Sequence, residues 1–439
     1  MKNRIIRERS LVLRSLVSLI ATVGVALVAS AQPPSTAPYI QQFPTTVMQS
    51  GGADPYAMAP PPMSSGWIPS MGMGVPMLSE VRDRAWWRAE YLVWWTDGMD
   101  LPPLVTSSPP GTPIGEAGRL GFPDTNVLFG NQSINRGSTG GVRTSSGYWF
   151  TPDRRFGVTS ELFRLRNQSD GYSAAGDGDP ILARPYFNIV TGAEDARLIS
   201  YPGAATGSIQ IRSKNKLESL MFAGKFGLTP APNWQFESCE RPRSVYWTLG
   251  YRRLKLEDNL HFTNDVDVID GPFDSSSITE HFATKNKFDG VQLGFTYQTD
   301  FPRARLESRM RVALGNNKQT INVGGSNVLT TGGIVDPVID SGFLAQATNS
   351  GNFTRDVFTM IPELGVTLGI RFTDRIHGTI GYTILYYPNV VRAGDQIDTD
   401  LNPTQFDGGA LVGAPRPRLR FIDGDFYAHG LNLGAEVRF

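Results

Sequence analysis

Between Trp86 and Phe439 apolar residues recur at every second position, in runs separated by Gly, Pro, Asn and Asp. In "WWRAEYLVWWT", Trp87, Ala89, Tyr91, Val93 and Trp95 share one face, while Arg88 and Glu90 take the other. Successive side chains of a strand point to opposite faces, so a period of two marks a strand with one oily and one polar side. "SVYWTLGYRRLKL" sets Val245, Trp247, Leu249 and Tyr251 together. "FDGVQLGFTYQ" sets Val291, Leu293, Phe295 and Tyr297 against Gln292, Gly294, Thr296 and Gln298. "RARLESRMRVALG" opposes Leu306, Met310, Val312 and Leu314 to Arg305, Glu307, Arg309 and Arg311. "RIHGTIGYTILYY" aligns Ile376, Ile380, Tyr382, Ile384 and Tyr386. The last run, "DFYAHGLNLGAEVRF", aligns Leu431, Leu433, Ala435, Val437 and Phe439. "GVRTSSGYWF", "RFGVTSELFRL", "NKLESLMFAGKFGL" (of undecided facing) and "RDVFTMIPELGVTLGIRF" bring the expected strands to ten.

The connections decide what the oily faces meet. Short links such as "TPDR", "TDFP" and "TD" alternate with long ones, at 166–214, 257–287, 316–354 and 388–424. Short turns on one side and long loops on the other are the signature of an outer-membrane barrel. In a bilayer every backbone group must pair within the protein, so such a sheet closes on itself. The expectation is an all-β fold: a closed antiparallel transmembrane barrel of ten strands, within a range of eight to fourteen. An even count puts both termini in the periplasm and the long loops outside. Trp86, Trp87, Trp94, Trp95, Tyr386 and Tyr387, near strand ends, are expected to form interfacial girdles. A secreted β-sandwich would need a separate reason for the loop asymmetry, for these aromatics and for the terminal Phe.

Composition narrows the picture. The 439 residues carry 41 Lys plus Arg and 41 Asp plus Glu. That balance argues against nucleic acid as a partner. The single cysteine, Cys239, allows no internal disulfide. Near the N-terminus a basic stretch precedes an apolar segment, Leu16 to Val28, and then Ala29-Ser30-Ala31. This predicts a signal peptide over 1–31, cleaved after Ala31. Residues 32–80, rich in Pro, Gly, Met and Ser, read as a flexible linker, leaving 81–439 for the barrel.

Candidate chemistry follows from the polar faces. Arg88, Glu90, Glu161, Arg305, Glu307, Arg309, Arg311, Glu363, Arg371, Glu436 and Arg438 are expected to line the lumen. There they would form either a selective constriction or a plug of paired charges. A barrel of about eight strands is filled by its own side chains, and wide aqueous pores need about sixteen, so ten strands favour the plug or a very narrow pore. Asp395, Asp398, Asp400 and Asn402 place hard oxygen ligands in one loop, but without EF-hand spacing. No metal or cofactor is assigned. Four scattered histidines and the lack of a nucleophile elbow, P-loop or dinucleotide fingerprint point away from an enzyme. Leu431, Leu433, Val437 and Phe439 form the expected insertion signal, which makes the barrel-insertion machinery a partner alongside outer-membrane lipids and small solutes or ions. Oligomeric state is not legible here.

Several stretches carry a family resemblance: "RAEYLVWWTDGMDLPPLVTSSP", "VLFGN", "LGYRRLKLEDNL", "VALGNNKQTINVGG", "RDVFTMIPELGVTLG", "VVRAGDQIDTDLNP" and "GLNLGAEVRF". Over Trp86 to Phe439 the chain resembles a planctomycete putative β-barrel porin family, the seventh of a numbered series. It departs from the family pattern at Ala393, where that pattern has proline. The resemblance implies an outer-membrane barrel with porin activity, and so a channel for diffusion of small hydrophilic solutes through a charged lumen. The alternative is a plugged structural protein or adhesin that acts through its surface loops.

Overall fold

The computed structural model describes residues 84–228, 243–269 and 271–439. The predicted signal peptide, the linker at 32–80 and Cys239 lie outside these residues. Ten antiparallel strands close into a barrel: β1 (Ala85–Thr96), β2 (Gly137–Trp149), β3 (Phe156–Leu165), β4 (Ala205–Gly227), β5 (Arg243–Val268), β6 (Ser275–Asp300), β7 (Ala304–Thr331), β8 (Gly351–Arg371), β9 (Ile376–Val391) and β10 (Asp423–Arg438). Neighbours in sequence pair, and β1 meets β10 to shut the ring, with Arg88 opposite Glu436 and Tyr91 opposite Leu433. Phe439 extends this seam by exchanging backbone hydrogen bonds with Ala85. Among the described residues no helix is long and apolar enough to cross a membrane.

The strands differ greatly in length. β4 to β7 run for 23, 26, 26 and 28 residues, against 12, 13 and 10 for β1 to β3. A tilted strand needs only about 9–11 residues to span a bilayer, so β4 to β7 rise well beyond it as a curved wall. The expected long loop at 257–287 is therefore mostly strand, and β5 turns into β6 within 269–274. The one at 316–354 likewise begins as the upper part of β7. The stretch 166–214 contains three strands, Gln168–Gly176, Ile181–Asn188 and Ala193–Ser200, and the start of β4. Gln168–Gly176 pairs with β4 directly above β3, which pairs with its lower half.

A second, smaller sheet packs against the inner side of this wall. Val105–Ser108, Asn126–Phe129, Ile181–Asn188 and Ala193–Ser200 form it, with Asp400–Leu401 added in parallel. Ile209 and Ile211 from β4, Leu260, Phe262 and Val266 from β5, and Phe282 from β6 share one buried core with Leu182, Tyr186, Ile199 and Phe343. Arg184 and Glu280 are buried in it as an ion pair at 2.6 Å, with Glu280 also accepting from the backbone N–H groups of Leu344 and Ala345. The long loops thus build an outer lobe with a core of its own.

Candidate functional site

Below the lobe the faces sort as lipid demands. Tyr91, Phe222, Leu249, Leu293 and Val366 are exposed around the barrel wall, and the polar residues between them turn inward. Of the eleven residues expected to line the lumen, ten do so. Arg371 does not: its strand ends there, and its exposed guanidinium donates to the Pro302 carbonyl at the short-turn end. The aromatic assignment also needs correction. Trp94 and Tyr387 are fully buried inside the barrel, and Trp86 turns inward, leaving Trp87, Trp95 and Tyr386 on the outward face.

Apart from the Arg305–Asp300 pair, the inward ion pairs form one connected chain. Glu436 pairs with Arg88 at 2.5 Å, and Arg88 with Glu307 at 3.4 Å. Arg309 lies 3.8 Å from Glu307 and 3.7 Å from Glu161. Glu161 pairs with Arg311 at 2.9 Å, Arg311 with Glu363 at 3.3 Å, and Glu363 with Arg252 at 2.7 Å. Arg143 joins from β2, 3.6 Å from Glu90 and 3.9 Å from Glu161. Arg305 pairs with Asp300, and Arg438 with Glu436 at 2.6 Å. A charge inside a barrel in lipid is tolerated when a partner and hydrogen bonds replace its water.

Arg143, Arg252 and Lys225 are absent from the eleven. The first two alternate with outward Val142 and Tyr251, so their facing was implicit in the period. Lys225 sits on the strand whose facing the pattern left undecided, and only its pairing with β5 and β3 settles it.

On the lobe side of this network lies an apolar septum. Leu92 and Trp94 of β1, Phe163 and Leu165 of β3, Leu217 of β4, Leu254 and Leu256 of β5, Phe288 of β6, Ala313 of β7, Ile361 of β8, Leu385 and Tyr387 of β9, and Phe426 and Ala428 of β10 form one buried cluster. Nine of the ten strands contribute. Trp94 donates to Asn432 at 2.8 Å, Tyr387 to Asn317 at 2.8 Å, and the Arg143 guanidinium lies 5.2 Å from the Trp94 ring, joining charge network to septum. From the lobe, Arg392 reaches Asp258 at 2.5 Å and the Gly98 carbonyl at 3.0 Å, so a surface loop is tied down onto the septum.

Toward the short turns the interior opens from this network as a small vestibule with a cavity volume of about 60 Å³. Trp86, Trp149, Tyr246, Lys225, Glu307 and Arg309 are among its walls. Lys225 Nζ lies 4.4 Å from the Tyr246 ring and 5.0 Å from the Trp149 ring. Trp86 can lie flat here because its cross-strand partner is Gly147, where a Cβ would come within 2.4 Å of the indole nitrogen.

The acidic loop is spent on internal contacts. Asp398 and Asp400 pair with Arg416 at 2.7 and 3.0 Å. Asn402 accepts from the Thr404 N–H and donates to the carbonyls of Val412 and Ala414, and Asp395 sits in a short 3-10 turn, Gly394–Gln396. Among the described residues no group of three or more metal-ligating side chains converges. Leu431 and Leu433 of the expected insertion signal are exposed on the lipid side of β10, as is the Phe439 ring beyond it; Val437 is only partly exposed.

No curated protein matches the sequence. Among solved structures the fold is similar to the outer membrane protease OmpT from Escherichia coli, at 9% identity and a TM-score of 0.38, covering 82% of this chain and 97% of that one. It is also similar to a Pseudomonas aeruginosa FadL homologue, at 9% identity and a TM-score of 0.21 over 82% and 90%, and to the P. putida toluene transporter TodX, at 8% and 0.16 over 82% and 91%. Likeness at this level carries no argument about activity. The family comparison is of a different order: the family model described as "Putative beta barrel porin-7" matches residues 86–439, the whole of the barrel and its lobe, and the chain belongs to that porin-like family of outer-membrane barrels.

Proposed function

We propose that this protein is a closed outer-membrane barrel whose lumen is a plug and whose outer lobe is the working part, a structural or adhesive surface module. The observation that carries this reading is the septum: side chains from nine strands, all buried, meet across the interior. Moving ions through it would require opening a packed apolar layer and unpairing the charges beneath it. The second reading is the one the family name suggests, passage of small hydrophilic solutes through the charged lumen with the septum as a gate. The vestibule favours it, since charged and polar side chains line it. In both readings the last strand serves the insertion machinery, and neither contains a catalytic step.

Conductance in planar bilayers tests the choice. Purified full-length protein is expected to give no steps above the lipid baseline in molar KCl. The double variant Trp94→Ala, Tyr387→Ala, which empties the centre of the septum, is expected to conduct. Stable steps from the parent protein would overturn the closed-barrel reading in favour of the gated channel.

A further inference from the structure

The interior charges do not balance. Nine cations, with Arg154 and Lys225 among them, face six carboxylates in the network, counting Asp300. The excess of three is localised. Lys225 and Arg154 form no ion pair within 4.0 Å among the described residues. Arg309 has carboxylates only at 3.7 and 3.8 Å, and its buried Nε has no hydrogen-bond partner, although its side chain is just 9% exposed. All three line the vestibule. A cation in a low-dielectric wall is costly without a counter-charge. The rings of Tyr246 and Trp149 offset part of that cost for Lys225. They leave its three donors unspent.

We infer that the vestibule is a binding site for a small, multiply charged oxyanion of the phosphate class, entering from the periplasmic end and held by Lys225 and Arg309. Three excess positive charges match a di- or trivalent anion better than chloride. The unspent donors supply charge-assisted hydrogen bonds that a tetrahedral oxyanion accepts from several directions at once. The aromatic walls shield the pair from bulk water and so strengthen the attraction. The site lies wholly on the short-turn side of the septum, and occupancy does not require that the barrel conduct.

Titration of the full chain in detergent micelles with inorganic phosphate, at constant ionic strength set by chloride, tests this through tryptophan fluorescence, since Trp86 and Trp149 stand in the wall. A saturable change is expected with phosphate, a weaker one with succinate, and none with added chloride. Lys225→Met, which keeps the stem and drops the charge, should weaken phosphate binding at least about tenfold, as loss of one charge-assisted bond implies. Arg309→Gln should act likewise, and Lys225→Arg should retain binding. Lys285→Met, on the outer face, should bind as the parent does. If Lys225→Met does not fold, the contrast between Lys225→Arg and Arg309→Gln carries the test. No saturable response, equal affinity in Lys225→Met and parent, equal affinity in Arg309→Gln and parent, or equal loss in Lys285→Met would each overturn the assignment. A non-conducting barrel that binds phosphate supports both readings, a non-conducting barrel that does not bind it refutes the inference alone, and a conducting barrel that binds it refutes the closed-barrel reading alone.

Discussion

Along β5 one face meets two solvents. Up to Tyr251 its outward residues are Val245, Trp247, Leu249 and Tyr251; from Arg253 on they are Arg253, Lys255, Glu257, Asn259 and His261. The inward face inverts at the same level, from Thr248 and Arg252 to Leu254, Leu256, Leu260 and Phe262. β6 repeats the switch between Val291 and Asp289, and β4 between Leu220 and Glu218. The backbone and its period run unbroken through the change. In the membrane half the apolar face seeks lipid, and the polar face is driven to the lumen. In the outer half water surrounds the wall, so the apolar face must find protein, which the loops supply as the small sheet. The difference teaches that lumen filling has two separate causes here: ion pairing where the outside is oil, and ordinary hydrophobic burial where the outside is water.

The sharpest break in this comparison lies in the buried pair of the lobe. Glu280→Ala leaves Arg184 buried and uncompensated, and should cost about 3–5 kcal/mol, measured as loss of the lobe's protease resistance. Phe262→Ala on the same inner wall should cost about as much, through the cavity it leaves. Next comes a pair on the outward face of β6. Leu293→Arg should cost about 2–4 kcal/mol near the membrane midplane, whereas Ala283→Arg, above the switch, should stay within about 0.5 kcal/mol. Refolding into lipid vesicles under urea measures both, and equal costs would erase the distinction between the two halves. Smaller still are the outer ion pairs above the switch. Lys255, 2.7 Å from Glu257 and 3.7 Å from Glu218, is partly exposed. Lys255→Ala should cost under about 1 kcal/mol, and less in high salt.

The smallest effect concerns acid and the lobe. Burial pushes the Asp195 carboxyl up, but the Asn188 amide, the Ala196 N–H and the Tyr186 hydroxyl hold it below its ordinary value on balance. Its folded pKa is therefore the lower one. Its contribution is complete above the unfolded value of about 4 and is lost as pH falls through the folded value. Asp195→Asn should flatten the acid limb of the lobe's stability curve, lowering stability slightly at neutral pH and leaving it almost unchanged in strong acid.

Strand number, facing and closure in the membrane half were legible because lipid enforces a strict alternation. Ten strands, the lumen positions of Arg88, Glu161 and Glu363, and the short turns all follow from it. The segments at 257–287 and 316–354 look like loops in the sequence for a related reason. Their outward residues are charged, their inward ones apolar, and a search for oily faces in one phase passes over the inverted phase. Arg371 was misplaced because alternation cannot say where the barrel rim falls. Trp94 and Tyr387 suggest girdles by standing near strand ends, although their own parity with Leu92 and Leu385 puts them inside.

By itself the sequence determined that the chain closes into a ten-stranded barrel and, on strands of clear alternation, which residues share a face, since period and parity are local properties. Only the tertiary structure decided what fills the barrel. Whether Arg309 finds a hydrogen-bonded partner, whether Lys225 meets aromatic rings or a carboxylate, and whether Leu92, Phe163, Phe288 and Phe426 meet at one height depend on the stagger of strands around the ring. That stagger is set by pairings between residues up to hundreds of positions apart, such as Arg88 with Glu436.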